Sequence, residues 1–316
     1  MNVNFDSIQQ YFDNPPAPEI VELKLPLLKK HGLSWKVLRD DLIDENLSGN
    51  KYRKLKYNLI EAASLGHHQL LTFGGAYSNH IYALAAAASQ FGFASVGIIR
   101  GELVPGLNPT LRAAEKFGMH LQSMSREDYK VRMDADKIRQ FQQDYGAFYL
   151  VPDGGTNTFA IRGCTELTQY IPDDVDHCTL CCGTGGTMAG FVAGMQGKKH
   201  ILGFPVLKGG MFLQEHIKSL LMEYQQSVYD NWALIPDYHF GGYARHDIVL
   251  VDFMNWFYDH TGIPTDPVYT GKMFYGVYDL IAKGYFKTGS TILSIHSGGL
   301  QGNAGFKERF GNILHF

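Results

Sequence analysis

The sequence predicts an α/β protein built on two parallel or mostly parallel sheets that carry helices on their faces. Short apolar runs alternate with longer stretches of helical period along most of the chain. This alternation is typical of parallel strands joined by crossover helices. Glycines such as Gly66, Gly92 and Gly118 stand where helices are expected to end, because a left-handed residue commonly closes a helix.

The predicted elements follow one another in a regular order. Strands are predicted at 34–40, 69–73, 94–100, 119–124, 147–151, 177–182, 200–207 and 291–296. Helices are predicted at 78–91 and 109–117. Further helices are predicted to begin near 50, 160 and 186, and a polar helix is predicted to end near 145. The 316 residues suggest about two domains. No flexible linker separates them, so we expect the domains to be interleaved.

Composition narrows the functional classes. Hydrophobic residues make up 45% of the chain and charged residues 19%, and the formal net charge is −3. The chain has no excess of positive charge to attract a phosphodiester backbone or an anionic membrane. Neither nucleic acid nor a membrane is therefore expected as a partner. The N-terminal segment lacks the pattern of a signal peptide, which favours a cytoplasmic protein.

The four cysteines fit the same setting, because a chain of this length does not need disulfides. Three of them lie in the run HCTLCC at 177–182, which has the residue types of a metal site. We favour a buried strand entering a glycine loop, since adjacent strand residues point to opposite faces. No metal is therefore expected.

Lys51 is the candidate nucleophile. Leu55, Leu59 and Ala62 recur at helical spacing and mark a buried stripe, and one turn before Leu55 stands Lys51. A lysine at the first turn of a helix, and partly buried, should have a lowered pKa and remain nucleophilic. The alternative is a lysine whose stem covers the stripe while its ammonium reaches water.

Lys54 receives a different prediction. It lies on a stripe that continues to Asn58 and Glu61, and such a polar stripe is typical of a solvated helix face.

A glycine-rich loop follows the strand at 177–182. Its members are Gly183, Thr184, Gly185, Gly186 and Thr187. Such a loop lets backbone N–H groups contact an anion at a helix N-terminus. A P-loop would need lysine where Met188 stands, and a dinucleotide site would need an acidic residue after the next strand. Two interpretations of the loop remain. It binds a cofactor with a single phosphate, or it serves only tight packing.

The segment GGAYSNH at 74–80 lies at another junction of strand and helix. Ser78 and Asn79 are placed to cap the helix that follows, and capping alone would explain them. The functional interpretation is that this N-terminus faces the active site. There its amides and Asn79 would hold a carboxylate, and Ser78 would pass a proton.

Five segments together resemble one family. They are SGNKYRK at 48–54, GGAYSNH at 74–80, CGTGGTMAG at 182–190, DPVYTGK at 266–272 and IHSGG at 295–299. In order and approximate spacing they are similar to the motifs of the 1-aminocyclopropane-1-carboxylate deaminase and D-cysteine desulfhydrase family. The resemblance covers about residues 48 to 300.

The resemblance implies a fold like that of the tryptophan synthase β subunit, with pyridoxal 5′-phosphate between a larger and a smaller α/β domain. We assign 1–52 and 151–316 to the larger domain and 53–150 to the smaller one inserted in it. It also implies a homodimer.

The resemblance further implies the roles of site residues. Lys51 would bind the cofactor covalently, and Gly183 to Thr187 would hold its phosphate. The substrate would contact Ser78, Asn79 and His80, and the active-site tyrosine would be Tyr269. A second tyrosine match is Tyr243 within HFGGYAR.

Differences from the family pattern bear on the substrate. Thr270 stands where deaminase-like members carry a glutamate facing the ring nitrogen of the cofactor. Ser297 and His80 match the desulfhydrase-like members, with Ser297 or Thr270 as the neutral partner of the ring nitrogen. Tyr77 departs from the glutamine usual in both groups.

The expected function is therefore that of a pyridoxal-phosphate-dependent lyase or deaminase of a small amino acid. Its reaction would be most like that of D-cysteine desulfhydrase, an α,β-elimination that gives a keto acid, ammonia and sulfide, with Lys51, Ser78 and Tyr269 as catalytic residues. One alternative is 1-aminocyclopropane-1-carboxylate deaminase or another enzyme of small amino acids. Alternatives from other classes are a nicotinamide-dependent oxidoreductase and a protein that binds the cofactor or amino acids without turnover.

Overall fold

Two sheets form the framework of the protein, which we describe from a computed structural model covering residues 3–316. The strands are β1 Ile20–Glu22, β2 Ser34–Leu38, β3 Gln69–Gly75, β4 Ala94–Arg100, β5 Met119–Met124, β6 Tyr149–Val151, β7 His177–Cys182, β8 His200–Pro205, β9 Trp232–Leu234 and β10 Thr291–Ile295. The helices are α1 Phe5–Asp13, α2 Pro26–His31, α3 Asn50–Ser64, α4 Asn79–Phe91, α5 Pro109–Lys116, α6 Ala135–Tyr145, α7 Thr158–Thr165, α8 Gly186–Met195, α9 Leu213–Gln225, α10 Ile248–Thr261, α11 Thr270–Ala282 and α12 Gly302–Phe310.

The sheet topology confirms the predicted fold class. One sheet has six strands in the order β1-β2-β10-β7-β8-β9, and the other has four in the order β5-β4-β3-β6. All neighbouring strands are parallel except the edge pair of β1 and β2. The prediction missed β1 and β9, because three residues carry too little alternation to be told from a loop.

Both faces of each sheet are covered by helices, as parallel sheets require. On the four-stranded sheet, α1, α3 and α4 cover one face, and α6 packs on the other through Phe141. On the six-stranded sheet, α8 and α9 lie on one side and α10 and α11 on the other. Within residues 3–316, no helix is both long enough and apolar enough to cross a bilayer.

The four-stranded sheet lies within residues 69–151, and α1 packs against its core through Ile8 and Phe12. The predicted boundaries, 53–150 for a smaller domain within 1–52 and 151–316, stay a prediction. The carboxyl ends of the central strands of both sheets lead into the loops that border one cavity.

The helix α3 is fixed from two directions. Arg53 forms an ion pair with Asp40, which follows β2, with 2.5 Å between Nη2 and Oδ1, and both side chains are almost fully buried. On the other side, α7 packs so closely that a Cβ atom on Gly163 would overlap with the carbonyl oxygen of Arg53. The position of α3 therefore depends on a charge pair and on a missing side chain.

We expect Gly163→Ala to lower the free energy of unfolding by about 1–3 kcal/mol, because the added methyl forces α3 and α7 apart. Urea denaturation would measure the loss. The matched control is Gly302→Ala at the start of α12, where the new Cβ would meet its nearest neighbour at 3.7 Å. Equal losses in the two variants would contradict this account of the helix contact.

Candidate functional site

One cavity of about 650 Å³ lies between the two sheets. It collects most of the side chains that the sequence singled out. Its lining includes Lys51, Ser78, Asn79, His80, Gly183, Thr184, Gly185, Thr187, Tyr243, Tyr269 and Ser297. Gly186 and Thr270 do not line the cavity.

Lys51 lies in the first turn of α3, with its ammonium nitrogen 3.3 Å from Asn50 Oδ1. The Asn50 amide nitrogen in turn donates to Thr187 Oγ1 at 2.9 Å. Burial lowers the pKa of Lys51 from its ordinary value. The structure thus presents an amine of reduced basicity to the cavity, next to the glycine-rich loop.

Gly49 sets the position of Lys51. It adopts a φ of +59°, which favours glycine, and any Cβ there would overlap with the carbonyl group of Ser297. The Asn50 N–H donates to that same carbonyl oxygen at 3.1 Å. The start of α3 is therefore fixed against the loop at 295–299. In the sequence these two segments are separate motifs with no visible connection.

The glycine-rich loop is closely packed against its neighbours. A Cβ on Gly183 would lie 3.1 Å from Tyr269 Cε1, and one on Gly186 would lie 2.8 Å from Thr156 and 3.1 Å from Lys54 Nζ. Gly185 takes a φ of +83° before α8 begins. The loop is followed by a helix N-terminus, so its amides form a site suited to an anion.

Lys54 is buried, and the prediction of a solvated face was wrong. Its side chain is about 2% exposed, and its ammonium donates to Gly154 O at 3.0 Å, Thr156 Oγ1 at 2.9 Å and Thr184 Oγ1 at 3.3 Å. Burial is the larger cause and the charge of Lys51 the smaller cause that together lower the pKa of Lys54 to about 7.

The reason for the error is tertiary. The segment after β6 and the helix α7 cover this face of α3, and Asn58, one turn on, is fully buried against Asn157. Helical periodicity cannot reveal a cover supplied by residues a hundred positions away. The only signal in the sequence was the closeness of a second lysine to Lys51.

The N-terminus of α4 has the predicted cap. Ser78 Oγ accepts hydrogen bonds from the backbone N–H groups of His80 at 3.2 Å and Ile81 at 3.3 Å. The Asn79 side chain accepts a hydrogen bond from Gln301 and so contacts the loop at 299–301. The cap itself borders the cavity, which keeps the capping and the binding interpretations compatible.

His80 has a fixed tautomer. Its Nε2 lies 2.8 Å from Thr72 Oγ1, and that hydroxyl donates its single proton to Val151 O at 2.7 Å. Nε2 must therefore donate, which leaves Nδ1 as a buried acceptor without a partner among residues 3–316. Burial, with the charges of Lys51 and Lys54, lowers the pKa of His80 well below the usual range.

Tyr269 and Tyr243 meet across the cavity. Their hydroxyl oxygens lie 3.4 Å apart and the two rings are in an edge-on arrangement. Burial raises the pKa of both phenols, and that of Tyr269 lies well above its ordinary value. At neutral pH each is therefore a neutral hydroxyl, able to donate and to accept a proton.

The two hydroxyls predicted to face the ring nitrogen have different surroundings. Ser297 lines the cavity with its Oγ 3.2 Å from Cys181 Sγ, and burial raises the pKa of that thiol to about 11. Thr270 Oγ1 donates to Asp266 Oδ1 at 2.8 Å and accepts from the Asp266 N–H at 2.9 Å. The hydroxyl of Thr270 is thus occupied in fixing the start of α11.

Comparison with known proteins gives a consistent result. The family model described as pyridoxal-phosphate dependent enzyme matches residues 23–298. A bifunctional D-cysteine desulfhydrase/1-aminocyclopropane-1-carboxylate deaminase of Arabidopsis thaliana, mitochondrial, is 31% identical, covering 91% of this chain and 77% of that protein. A putative 1-aminocyclopropane-1-carboxylate deaminase of Pyrococcus abyssi is 29% identical, with 92% of each chain covered.

A crystal structure described as an ACC deaminase homologue has a TM-score of 0.82 and 25% identity, covering 99% of this chain and 100% of that one. The similarity therefore extends over both sheets. It agrees with the family resemblance of the five sequence motifs, and the nicotinamide-dependent alternative receives no support.

The burial of Lys54 predicts a pH dependence of stability in protein freed of any bound cofactor. Between pH 7 and about 10.5 the unfolded chain carries a proton on Lys54 that the folded chain lacks, so stability rises with pH. The contribution is at most about 1.4 kcal/mol per pH unit. We expect Lys54→Met to lack this rise.

Chemical denaturation at pH 7, 8, 9 and 10 would measure the difference between the variant and the unchanged protein. Lys24→Met, at an exposed position, corrects for groups that titrate elsewhere. A constant stability difference between the Lys54 variant and the unchanged protein across this range would contradict the prediction.

Proposed function

The chain belongs to the family of pyridoxal-phosphate dependent enzymes, and from this premise we propose that it eliminates a β-substituent from a small amino acid. The proposed reaction is most like that of D-cysteine desulfhydrase, giving a keto acid, ammonia and sulfide. The observation that carries the proposal is that one cavity brings together a lysine of lowered pKa, the glycine loop before α8 and the capped N-terminus of α4.

The residues present fit the cofactor. The glycine loop has no room for side chains at Gly183 and Gly186 but offers backbone N–H groups at the start of α8. Lys54 contacts the same loop through Thr184, and among residues 3–316 its ammonium is hydrogen-bonded only to uncharged oxygen atoms. A phosphate held by Gly183 to Thr187 would therefore be neutralised by Lys54.

When bound, pyridoxal phosphate supplies a conjugated ring that accepts the electrons released as a bond at the substrate's α-carbon breaks. Lys51 is our candidate for the amine that would hold it, because burial keeps a larger share of this amine unprotonated than in a free lysine. Ser297 is our candidate for the group that faces the ring nitrogen. Unlike a carboxylate, a neutral hydroxyl would not keep the ring nitrogen protonated, which leaves the ring a weaker electron acceptor. A weaker acceptor is sufficient for an elimination but not for reactions that need a stronger one.

The α4 N-terminus is our candidate for the substrate carboxylate. The backbone N–H of Asn79 lies at the positive end of the helix, and Asn79 also contributes its side-chain amide. The Ser78 oxygen accepts two backbone hydrogen bonds, so its own proton is free to be donated. This arrangement would orient the amino acid with its α-carbon toward Lys51.

Proton transfer at the reacting carbons falls to Lys51, Ser78 or Tyr269. Tyr269 faces the cavity with a neutral hydroxyl backed by Tyr243, so the pair can pass a proton between them. Asp266 holds the backbone of this tyrosine in place by accepting from its N–H at 2.9 Å. Turnover of 1-aminocyclopropane-1-carboxylate is the alternative, and it uses the same carboxylate site.

A homodimer and a location in the cytoplasm belong to the same proposal. All four cysteines are free, and three are buried, which suits a reducing compartment. Light scattering on the purified protein would determine the assembly.

We expect the purified protein to show a visible absorption band that is absent from Lys51→Ala. Borohydride treatment followed by peptide mass mapping should find the cofactor on Lys51 alone. The control Lys56→Ala removes a lysine that pairs with Glu166 on the far side of α3, and it should keep the band. Attachment to any other lysine would overturn the assignment.

We expect D-cysteine to release more keto acid than L-cysteine or 1-aminocyclopropane-1-carboxylate. Turnover of the cyclopropane amino acid alone would favour the deaminase instead. A visible spectrum that none of the three amino acids alters would indicate a protein that binds the cofactor without acting on these substrates.

We expect Tyr269→Phe to lower kcat by about 10²-fold or more, the range of general acid–base catalysis, while the visible band persists. Tyr285→Phe, at a half-exposed position in a turn outside the cavity, serves as the matched control. An unchanged kcat in Tyr269→Phe would remove this residue from the proposed mechanism.

A further inference from the structure

The rim of the cavity on the side of the four-stranded sheet is strongly basic. Arg100 ends β4, Arg126 follows β5, and Lys130 and Arg132 lie in the loop before α6. These positions stand at the carboxyl ends of parallel strands, where ligands of α/β proteins bind. We call these four side chains the basic rim.

Only one carboxylate among residues 3–316 lines the cavity, that of Asp153. It is already used, because it accepts from Arg132 Nε at 2.7 Å and from the Tyr129 hydroxyl at 2.5 Å. Arg132 is further held by donating to the Tyr129 carbonyl oxygen at 2.6 Å. The ion pair of Arg132 and Asp153 is therefore part of the cavity wall.

The other members of the basic rim have no such partner. Within the described residues, no carboxylate oxygen lies within 4.0 Å of the charged groups of Arg100, Arg126 or Lys130. The Arg100 guanidinium lies over the Tyr129 ring, 5.8 Å from its centre, and all three side chains are exposed. The nearby Asp128 is engaged by Lys137 instead.

The charge of the cavity lining is opposite in sign to the net charge of the chain. The full chain has a formal net charge of −3, yet six cationic side chains and one carboxylate line this cavity. The cations are Lys51, Lys54, Arg100, Arg126, Lys130 and Arg132. The proposed function uses only Lys51 and Lys54, and the α4 N-terminus serves the α-carboxylate, so Arg100, Arg126 and Lys130 remain without a role.

We propose that the basic rim binds a second anionic group on the substrate, so that the preferred substrates are amino acids whose β-substituent ends in a carboxylate. The inference rests on the proposed function and narrows its substrate class. Arg100 and Arg126 are the specificity-determining residues, because each presents a planar donor set that suits a carboxylate. The cavity volume of about 650 Å³ leaves room for such an extended side chain beside a cofactor.

A matched pair of ligands tests this. S-(carboxymethyl)cysteine and S-(carbamoylmethyl)cysteine differ only in a terminal carboxylate or amide, and both enantiomers of each are used. In the elimination the Cα–H and Cβ–S bonds break and the released thiol takes a proton. One water then converts the remaining enamine to pyruvate and ammonia. The readouts are the ligand concentration that half-maximally changes the visible spectrum and kcat/KM for pyruvate release.

We expect the holoenzyme to prefer the carboxylate over the amide about tenfold or more in both readouts, as charge-assisted hydrogen bonds imply. The double variant Arg100→Gln/Arg126→Gln should bring that ratio close to one. Arg100→Lys should retain part of it. Arg139→Gln, an exposed position on α6 outside the cavity, should keep the full ratio.

Equal treatment of the two ligands by the unchanged holoenzyme, or no spectral response to either, would overturn the inference. So would a preference that survives in the double variant. If the double variant loses its visible band, the single Gln variants decide, and an unchanged ratio in both would overturn it. A protein without any visible band contradicts the proposed function instead, whereas a coloured protein active on D-cysteine but indifferent to the carboxylate contradicts only this inference.

Discussion

The close contact between Gly49 and the Ser297 carbonyl is the constraint on which the site depends. No other residue fits at position 49, because both the space and the backbone conformation require glycine. The contact joins the start of α3 to the loop after β10, and the Asn50 side chain joins it to Thr187. Lys51 is thereby held between the glycine-rich loop and the Ser297 hydroxyl, our candidates for contacting the phosphate and the ring nitrogen of the cofactor.

The ion pair of Arg53 and Asp40 holds the same helix from behind. A buried pair contributes little net stability compared with apolar packing, but removal of either partner leaves an unpaired charge in the interior. Its geometry also fixes the rotation of α3 about its axis, so that Lys51 and Lys54 both face the cavity rather than water. The charge of Lys51 lowers the pKa of Lys54, and an anion bound near both would offset this effect.

Much of this arrangement could be predicted from sequence alone. Local patterns indicated the parallel sheets, the cap at Ser78 and the glycine loop, because these features depend on residues close in the chain. The burial of Lys54 could not be predicted, since its cover comes from residues 153–157. The basic rim was also missed, because Arg100 and Arg126 look like ordinary exposed residues until the fold brings two strand ends together.

Cys181 illustrates how the surroundings of the site bear on its durability. This thiol is hydrogen-bonded to Ser297 and its pKa is raised to about 11, so very little of it is thiolate at neutral pH. Thiolates, rather than thiols, react with peroxides and with disulfides. If the site releases thiols as proposed, Cys181 can therefore stay in the cavity wall without exchanging readily into mixed disulfides that would block it.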